Sequence, residues 1–77
     1  MQSLKNEKIV IRGETVKLGQ LLKIANLVGT GGEAKIRIQE GEVRVNGIVE
    51  TRRGKKLTHG DRVDIDNVVL EVCCEKT

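Results

Sequence analysis

Thr30–Gly47 reads TGGEAKIRIQEGEVRVNG: a glycine turn, a short basic helix, a glycine stop and a strand ending in Asn-Gly. Thr30 and Glu33 stand at capping-box spacing, the threonine oxygen accepting an early helical N–H while the glutamate reaches back. The helix this predicts spans about residues 32–40, with Ala34 and Ile38 as its inner stripe and Gly41 as its left-handed stop. Lys35 and Gln39 share a neighbouring face, with Arg37 on the other flank. Ile36 fits neither face, so it either packs under an N-terminal strand or marks a small contact patch. Val43-Arg44-Val45 alternates as a strand, and Asn46-Gly47 is a strong two-residue hairpin signal. That loop sets Val45 opposite Ile48 and Arg44 opposite Val49. The second pairing puts an apolar residue on a basic face, which calls for a bulge or a short return strand.

Upstream, residues 1–6 are polar and expected to be loose. EKIVIR at Glu7–Arg12 is a β-branched run closed by Gly13 and reads as a strand. Thr15 can cap a helix over Lys17–Leu27, in which Leu18, Leu21, Leu22 and Ala25 fall on one face. Gly19 inside that helix costs about 1 kcal/mol relative to alanine, a cost that suggests close approach by another backbone. Downstream, Thr51–Lys56 is TRRGKK, a loop with four basic residues around one glycine. After a turn at His59-Gly60-Asp61, Arg62–Ile65 and Val68–Cys74 form a hairpin around Asp66-Asn67. Its register places Val63, Ile65, Val68, Leu70, Val72 and Cys74 on one face and Arg62 opposite Glu71 on the other. The expected fold is α+β in the order β-α-α-β-β-β-β, with two short helices packed on a small antiparallel sheet of about four to five strands.

The 77 residues predict one domain, whose core spans about 15–66, with an added N-terminal strand near 7–12 and a C-terminal strand near 68–74. A chain of this size buries only roughly 60% of its unfolded surface. There is no Phe, Tyr or Trp, so the core is aliphatic. Single-strand binders usually stack bases on aromatic rings, and here only arginine planes can stack. Residues 1–34 carry a net charge of +2, residues 35–60 of +4 and residues 61–77 of −3. A basic middle beside an acidic tail suggests one anion-facing side. The N-terminus lacks an apolar run of signal or membrane-span length, and the expected location is cytoplasmic. Adjacent Cys73 and Cys74 would point to opposite faces of a strand, so two free thiols are expected, one of them in the core.

No catalytic set can be assembled. His59, the single histidine, sits in a glycine-flanked turn with no Cys or Ser near it in sequence. Asp64 and Asp66 point the same way, but at a hairpin without the pocket a carboxylate pair needs. Gly29–Glu33 is rich in glycine, yet it lacks the Gly-Lys-Ser/Thr ending of a nucleotide loop. With one histidine and two adjacent cysteines, neither a structural zinc nor any other cofactor is expected. Anion binding is better supported. The Gly31-Gly32 turn leaves backbone N–H groups at a helix start, with Lys35 one turn in and Arg44 on the next strand. Two helices joined by a glycine turn also allow a helix-turn-helix reading, against which the second helix is short and runs straight into a hairpin.

Lys17-Leu18-x-x-x-Leu22, then Thr30-Gly31-Gly32-Glu33-Ala34-Lys35, then Gly41-x-Val43-x-Val45-Asn46-Gly47 and finally Gly60-Asp61 resemble a known family. This is the RNA-binding domain named after small-subunit ribosomal protein S-four, also called the αL motif. The resemblance covers about residues 15–66 and is strongest to short, stand-alone bacterial members. It implies a non-catalytic surface for structured RNA, often ribosomal; no membrane or small-molecule partner is expected, and the expected state is a monomer. Family members usually carry a basic residue where Lys17 stands, a Ser-Arg pair near Thr30-Gly31, and arginine where Lys35 stands. Lys17, Thr30 and Lys35 match in kind. Gly31 stands in place of the family's arginine, Gly19 where aspartate is common, and Glu42 where a basic or polar residue is common. The expected RNA contacts are Lys17 and Lys23 on the first helix and Thr30, Gly31 and Gly32 at the turn. Lys35 and Gln39 join them from the second helix, Arg44 and Asn46 from the hairpin, and Arg52, Arg53, Lys55 and Lys56 from the loop. Two other readings stand beside this one: a protein-interaction adaptor using Ile36 or the acidic C-terminal hairpin, and duplex DNA binding by the helix pair.

Overall fold

The fold is seen in a computed structural model that describes residues 5–75. Its elements are β1 (Lys5–Arg12), β2 (Val16–Lys17), α1 (Leu18–Ile24), α2 (Gly31–Gln39), β3 (Arg44–Val45), β4 (Ile48–Val49), β5 (Lys56–Leu57), β6 (Arg62–Ile65) and β7 (Val68–Glu75). Lys5 and Asn6 belong to β1 rather than to a loose terminus. Residues 1–4 of that expected loose segment lie outside the described residues.

Five strands form one sheet in the order β1-β7-β6-β3-β4, and β2 pairs with β5 in a separate antiparallel ribbon. Both hairpins have the register their turns predict. Val45 faces Ile48 and Arg44 faces Val49, while Arg62 faces Glu71 and Val63 faces Leu70. Asn46 (φ 52°) and Gly47 (φ 85°) adopt left-handed conformations, as do Asp66 (φ 50°) and Asn67 (φ 63°). Positive φ at both central residues gives a turn whose twist matches that of the strands it joins. The awkward Arg44–Val49 pair is resolved by brevity, since β4 is a return strand of only two residues. One feature departs from an all-antiparallel sheet. β1 runs parallel to β7 over its whole length, from Lys5 opposite Val68 to Arg12 opposite Glu75. Short turns dictate antiparallel neighbours, but β1 reaches β7 only after the chain has passed through both helices, a crossover that permits parallel pairing.

Period-two alternation sends Ile11, Val45, Val63, Ile65, Leu70 and Val72 to one face of the sheet, where they meet Leu18, Leu21 and Leu22 of α1 and Ala34 and Ile38 of α2. The core is wholly aliphatic. Each fully buried leucine in it contributes about 1.5–3 kcal/mol. Arg44, Arg62, Asp64 and Glu71 stand on the other face by the same alternation. Both helices end in the same device. The Gly41 N–H donates to the Ile38 carbonyl and Glu42 N–H to that of Arg37, with Gly41 left-handed at φ 78°. In α1 the left-handed residue is Asn26 (φ 62°), with Asn26 N–H to the Lys23 carbonyl and Leu27 N–H to that of Leu22. Asparagine tolerates this conformation, so α1 stops at Ile24 rather than running on to Leu27.

Candidate nucleic-acid interface

The start of α1 is capped from a distance. Thr15 does not cap it, and Lys17, at the N-cap position, offers no side-chain hydrogen bond. Instead the Leu18 N–H donates to the Lys55 carbonyl at 2.9 Å and the Gly19 N–H to that of Arg53 at 3.1 Å. The TRRGKK loop therefore lies across the helix start, satisfying donors that a helix cannot satisfy itself. β2–β5 pairing continues the attachment, with Lys17 opposite Lys56 and Val16 opposite the buried Leu57. At the loop's other end Arg52 clamps onto Glu50: its Nε and Nη2 donate to the two carboxylate oxygens at 3.0 and 3.2 Å, and its backbone N–H adds a third bond at 3.0 Å. These side-chain and backbone hydrogen bonds from Arg52 hold the Glu50 carboxyl down to about 2.

Docking the loop there builds a cleft of about 270 Å³ between the helices, lined by Lys17, Gly19, Gln20, Lys23, Gly31, Ala34 and Arg53. None of these residues is acidic. Lys17, Lys23 and Arg53 are exposed, and none forms an ion pair among the described residues. Three uncompensated cations around one concavity attract an anion more strongly than the same charges spread over a convex surface. The mid-helix glycine now has its explanation. A Cβ on Gly19 would lie 2.6 Å from Arg53 Cγ, so glycine gives the Arg53 stem the room in which it rests on α1.

On the α2 side, Thr30 Oγ1 accepts the Glu33 N–H at 3.1 Å, and Glu33 reaches back to the Gly29 N–H at 2.8 Å. This is the predicted cap, with the glutamate bonded one residue earlier than in a capping box. The Gly31 and Gly32 N–H groups have no intrahelical acceptor, as at any helix start. Nothing stands within 4 Å of a Cβ on Gly31.

The structure thus gathers Lys17, Lys23, Gly31 and Arg53, with Lys55 and Lys56 in the docked loop. Thr30 and Gly32 flank the cleft at the start of α2, and Lys35 and Gln39 are exposed farther along that helix. Arg44 is not brought to this group. It stands on the sheet face away from the helices, cross-strand from Asp64 and in a depression shared with Glu42 and Asp66. Asn46 spends its amide on Asp61 and Arg62, and Arg52 spends its guanidinium on Glu50. Arg37 is likewise committed, to Glu42 at 2.7 Å and Asp66 at 2.5 Å. Gln20 and Ala34 line the cleft although the sequence marks them only as helix flank and inner stripe, whereas Gly19 is marked by its helical cost.

His59 Nδ1 accepts the Cys74 N–H at 2.9 Å, and the Cys74 thiol donates to the Glu14 carbonyl at 3.3 Å. Both cysteines are free thiols, and Cys74 packs against the core. Among the described residues no group of three His, Cys, Asp or Glu side chains is placed to hold a metal ion, and no helix is long and apolar enough to cross a membrane.

Two helices on a mixed sheet, with a cationic cleft between the helices and a glycine-started α2, define an αL-type domain. The chain belongs to the S4 domain family, whose pattern matches residues 9–73. It is 47% identical over 58 residues to RlbA of Bacillus subtilis (strain 168), named a probable ribosome maturation protein, an alignment covering 75% of this chain and 82% of RlbA. It is 46% identical over 57 residues to YbcJ of Escherichia coli (strain K12), covering 74% of this chain and 81% of YbcJ. The solution structure of E. coli YbcJ, described as revealing an αL motif involved in RNA binding, superposes with a TM-score of 0.64 at 33% identity, covering 95% of this chain and 91% of that one.

Proposed function

We propose that this protein binds structured RNA, ribosomal or ribosome-associated, and does no covalent chemistry on it. The observation that carries the reading is the cleft of unpaired cations, Lys17, Lys23 and Arg53, held between α1 and α2 by the docked loop. Lys55 and Lys56 extend the grip along the loop, Lys35 and Gln39 along α2, and the Thr30–Gly32 turn adds backbone donors. Each phosphate neutralised releases counterions, so several modest contacts sum to useful affinity. A chain without aromatic rings suits a ligand read by backbone and shape rather than by stacked, splayed bases. The names of the relatives RlbA and YbcJ point the same way. In this reading the protein acts as a cytoplasmic monomer without a cofactor, and Asn46 and Arg52 serve by holding the surface in shape.

Crosslinking in cells followed by sequencing of the attached RNA tests this. The expected result is enrichment of ribosomal RNA in a few discrete structured segments. Recovery of no RNA above a mock purification, with protein crosslinks instead, would replace the reading with that of an adaptor, for which the 61% exposed Ile36 would be the first contact to examine.

A further inference from the structure

Gly19 and Arg53 meet in a way that neither residue's own element explains. A Cβ on Gly19 would lie 2.6 Å from Arg53 Cγ, 3.2 Å from Cδ and 3.6 Å from the Arg53 carbonyl oxygen. Cγ and Cδ are the stem of the side chain rather than its tip, so the stem passes directly over the helix backbone. Gly19 is buried and its φ is not positive, so its own backbone conformation does not require glycine. Helix propensity favours alanine there. What glycine provides is room. The Gly19 N–H to Arg53 carbonyl bond at 3.1 Å then fixes the loop backbone above that room.

Arg52 and Arg53 are identical in sequence terms and opposite in structure. Arg52 is neutralised by Glu50, whereas Arg53 has no acidic partner among the described residues and lines the cleft. The other cations lining the cleft are lysines, and the α2 side contributes Gly31 and Ala34. Arg53 is therefore the cleft's one guanidinium, the group whose planar fork can hold a phosphate through two hydrogen bonds where an ammonium acts as a point charge. We propose that Gly19 and Arg53 form one functional unit, in which Gly19 is the seat that turns the Arg53 guanidinium into the cleft for the phosphate backbone of a structured RNA. Arg53 touches the ligand, and Gly19 is a positioning residue. The ligand class rests on the RNA-binding reading above; the seat rests on the geometry.

The test uses the full chain as wild type, Gly19→Ala, Arg53→Ala and the double variant, with total bacterial ribosomal RNA as the probe in filter binding over a range of salt. Arg53→Ala is expected to weaken binding roughly tenfold and to lower the salt slope by about one. Gly19→Ala should weaken binding nearly as much and lower the melting temperature by several degrees, because the added Cβ meets the Arg53 stem, while circular dichroism shows it still folded at the assay temperature. The double variant should be no weaker than Arg53→Ala alone. Wild-type affinity in Gly19→Ala, or losses that add in the double variant, would overturn the unit. A wild type that binds no RNA would overturn the RNA reading instead. The seat is then judged by the NMR signal of the Arg53 Nε–H during titration with inorganic phosphate. A signal and phosphate response that Gly19→Ala leaves unchanged would overturn the seat as well, and a shifted signal with a lost response would uphold it.

Discussion

The side-chain amide of Asn46 donates to Asp61 Oδ1 at 3.1 Å, joining the turn of the first hairpin to the turn that starts β6. Asn46 Oδ1 accepts the Arg62 N–H at 3.0 Å, and the second Asp61 oxygen accepts the Thr58 N–H at 2.8 Å. The Asn-Gly and Gly-Asp pairs, well separated in sequence, are two halves of one hydrogen-bonded knot. Two kinds of demand fall on Asn46, a left-handed backbone and a doubly bonded amide, and two variants separate them. Asn46→Gly keeps the backbone and loses the amide, with an expected cost of about 1–2 kcal/mol. Asn46→Ala also meets the left-handed penalty and should lose roughly 1 kcal/mol more. Urea unfolding followed by far-ultraviolet circular dichroism, which needs no aromatic residue, measures both.

Arg37 is basic yet belongs to the scaffold. It links α2 to Asp66 in the β6–β7 turn and to Glu42 just past the helix, and its side chain is only 20% exposed while its partners are about half exposed. Arg37→Met should destabilise the fold by up to about 1 kcal/mol, the scale of partly exposed ion pairs. RNA affinity at fixed salt should change by less than about threefold, because the guanidinium is already neutralised.

The Glu50–Arg52 clamp has a pH signature. The Glu50 carboxyl is held at about 2 against an ordinary value of 4.5, because Arg52 hydrogen bonds favour its charged form. A depressed native value means the clamp's contribution is complete above the ordinary value and is lost as pH falls from there through about 2. Carbon-detected NMR titration of Glu50 should give a midpoint near the lower value in the native protein. In Arg52→Ala the midpoint should return toward the ordinary range, and the amide signals of Arg53 and Lys55 should broaden as the loop loosens.

Gly31 lines the cleft, and a Cβ placed on it would have no neighbour within 4 Å, so a larger residue fits there. Gly31→Arg adds a second guanidinium to the site. It should raise affinity for ribosomal RNA several-fold and steepen the salt slope by about one. A cation in the first helical turn opposes the helix dipole, so a stability loss of about 0.3–1 kcal/mol should accompany the gain. Filter binding and urea unfolding of the same preparation read both effects.

Local signals were the legible ones. Asn46-Gly47 and Asp66-Asn67 set both hairpin registers, and Thr30, Glu33 and Gly41 mark the bounds of α2, because turns and caps are written within a few residues. Contacts between distant segments left no comparable mark. The parallel pairing of β1 with β7, the capping of α1 by the Lys55 and Arg53 carbonyls, and the separation of Arg52 from Arg53 all depend on where the chain returns in space. Arg44 shows the same limit: its place in the strand was readable, but the face it occupies relative to the helices became visible only with the sheet assembled. Gly19 is the informative exception, since a residue that costs helix stability points to whatever must rest on it.

The central claim, that the cleft between α1 and α2 is the RNA grip, is tested most directly by two variants that remove equal charge from opposite faces. Lys17→Gln/Arg53→Gln removes two of the three cations lining the cleft, and Arg44→Gln/Arg62→Gln removes two arginines from the open sheet face. Affinity for ribosomal RNA is measured for each across a salt series, with circular dichroism confirming the fold. The cleft variant should lose roughly a hundredfold at about 0.1 M salt with a slope lower by about two, while the sheet variant stays within about threefold of wild type. Equal losses in the two variants, or a cleft variant that binds like wild type, would contradict the account.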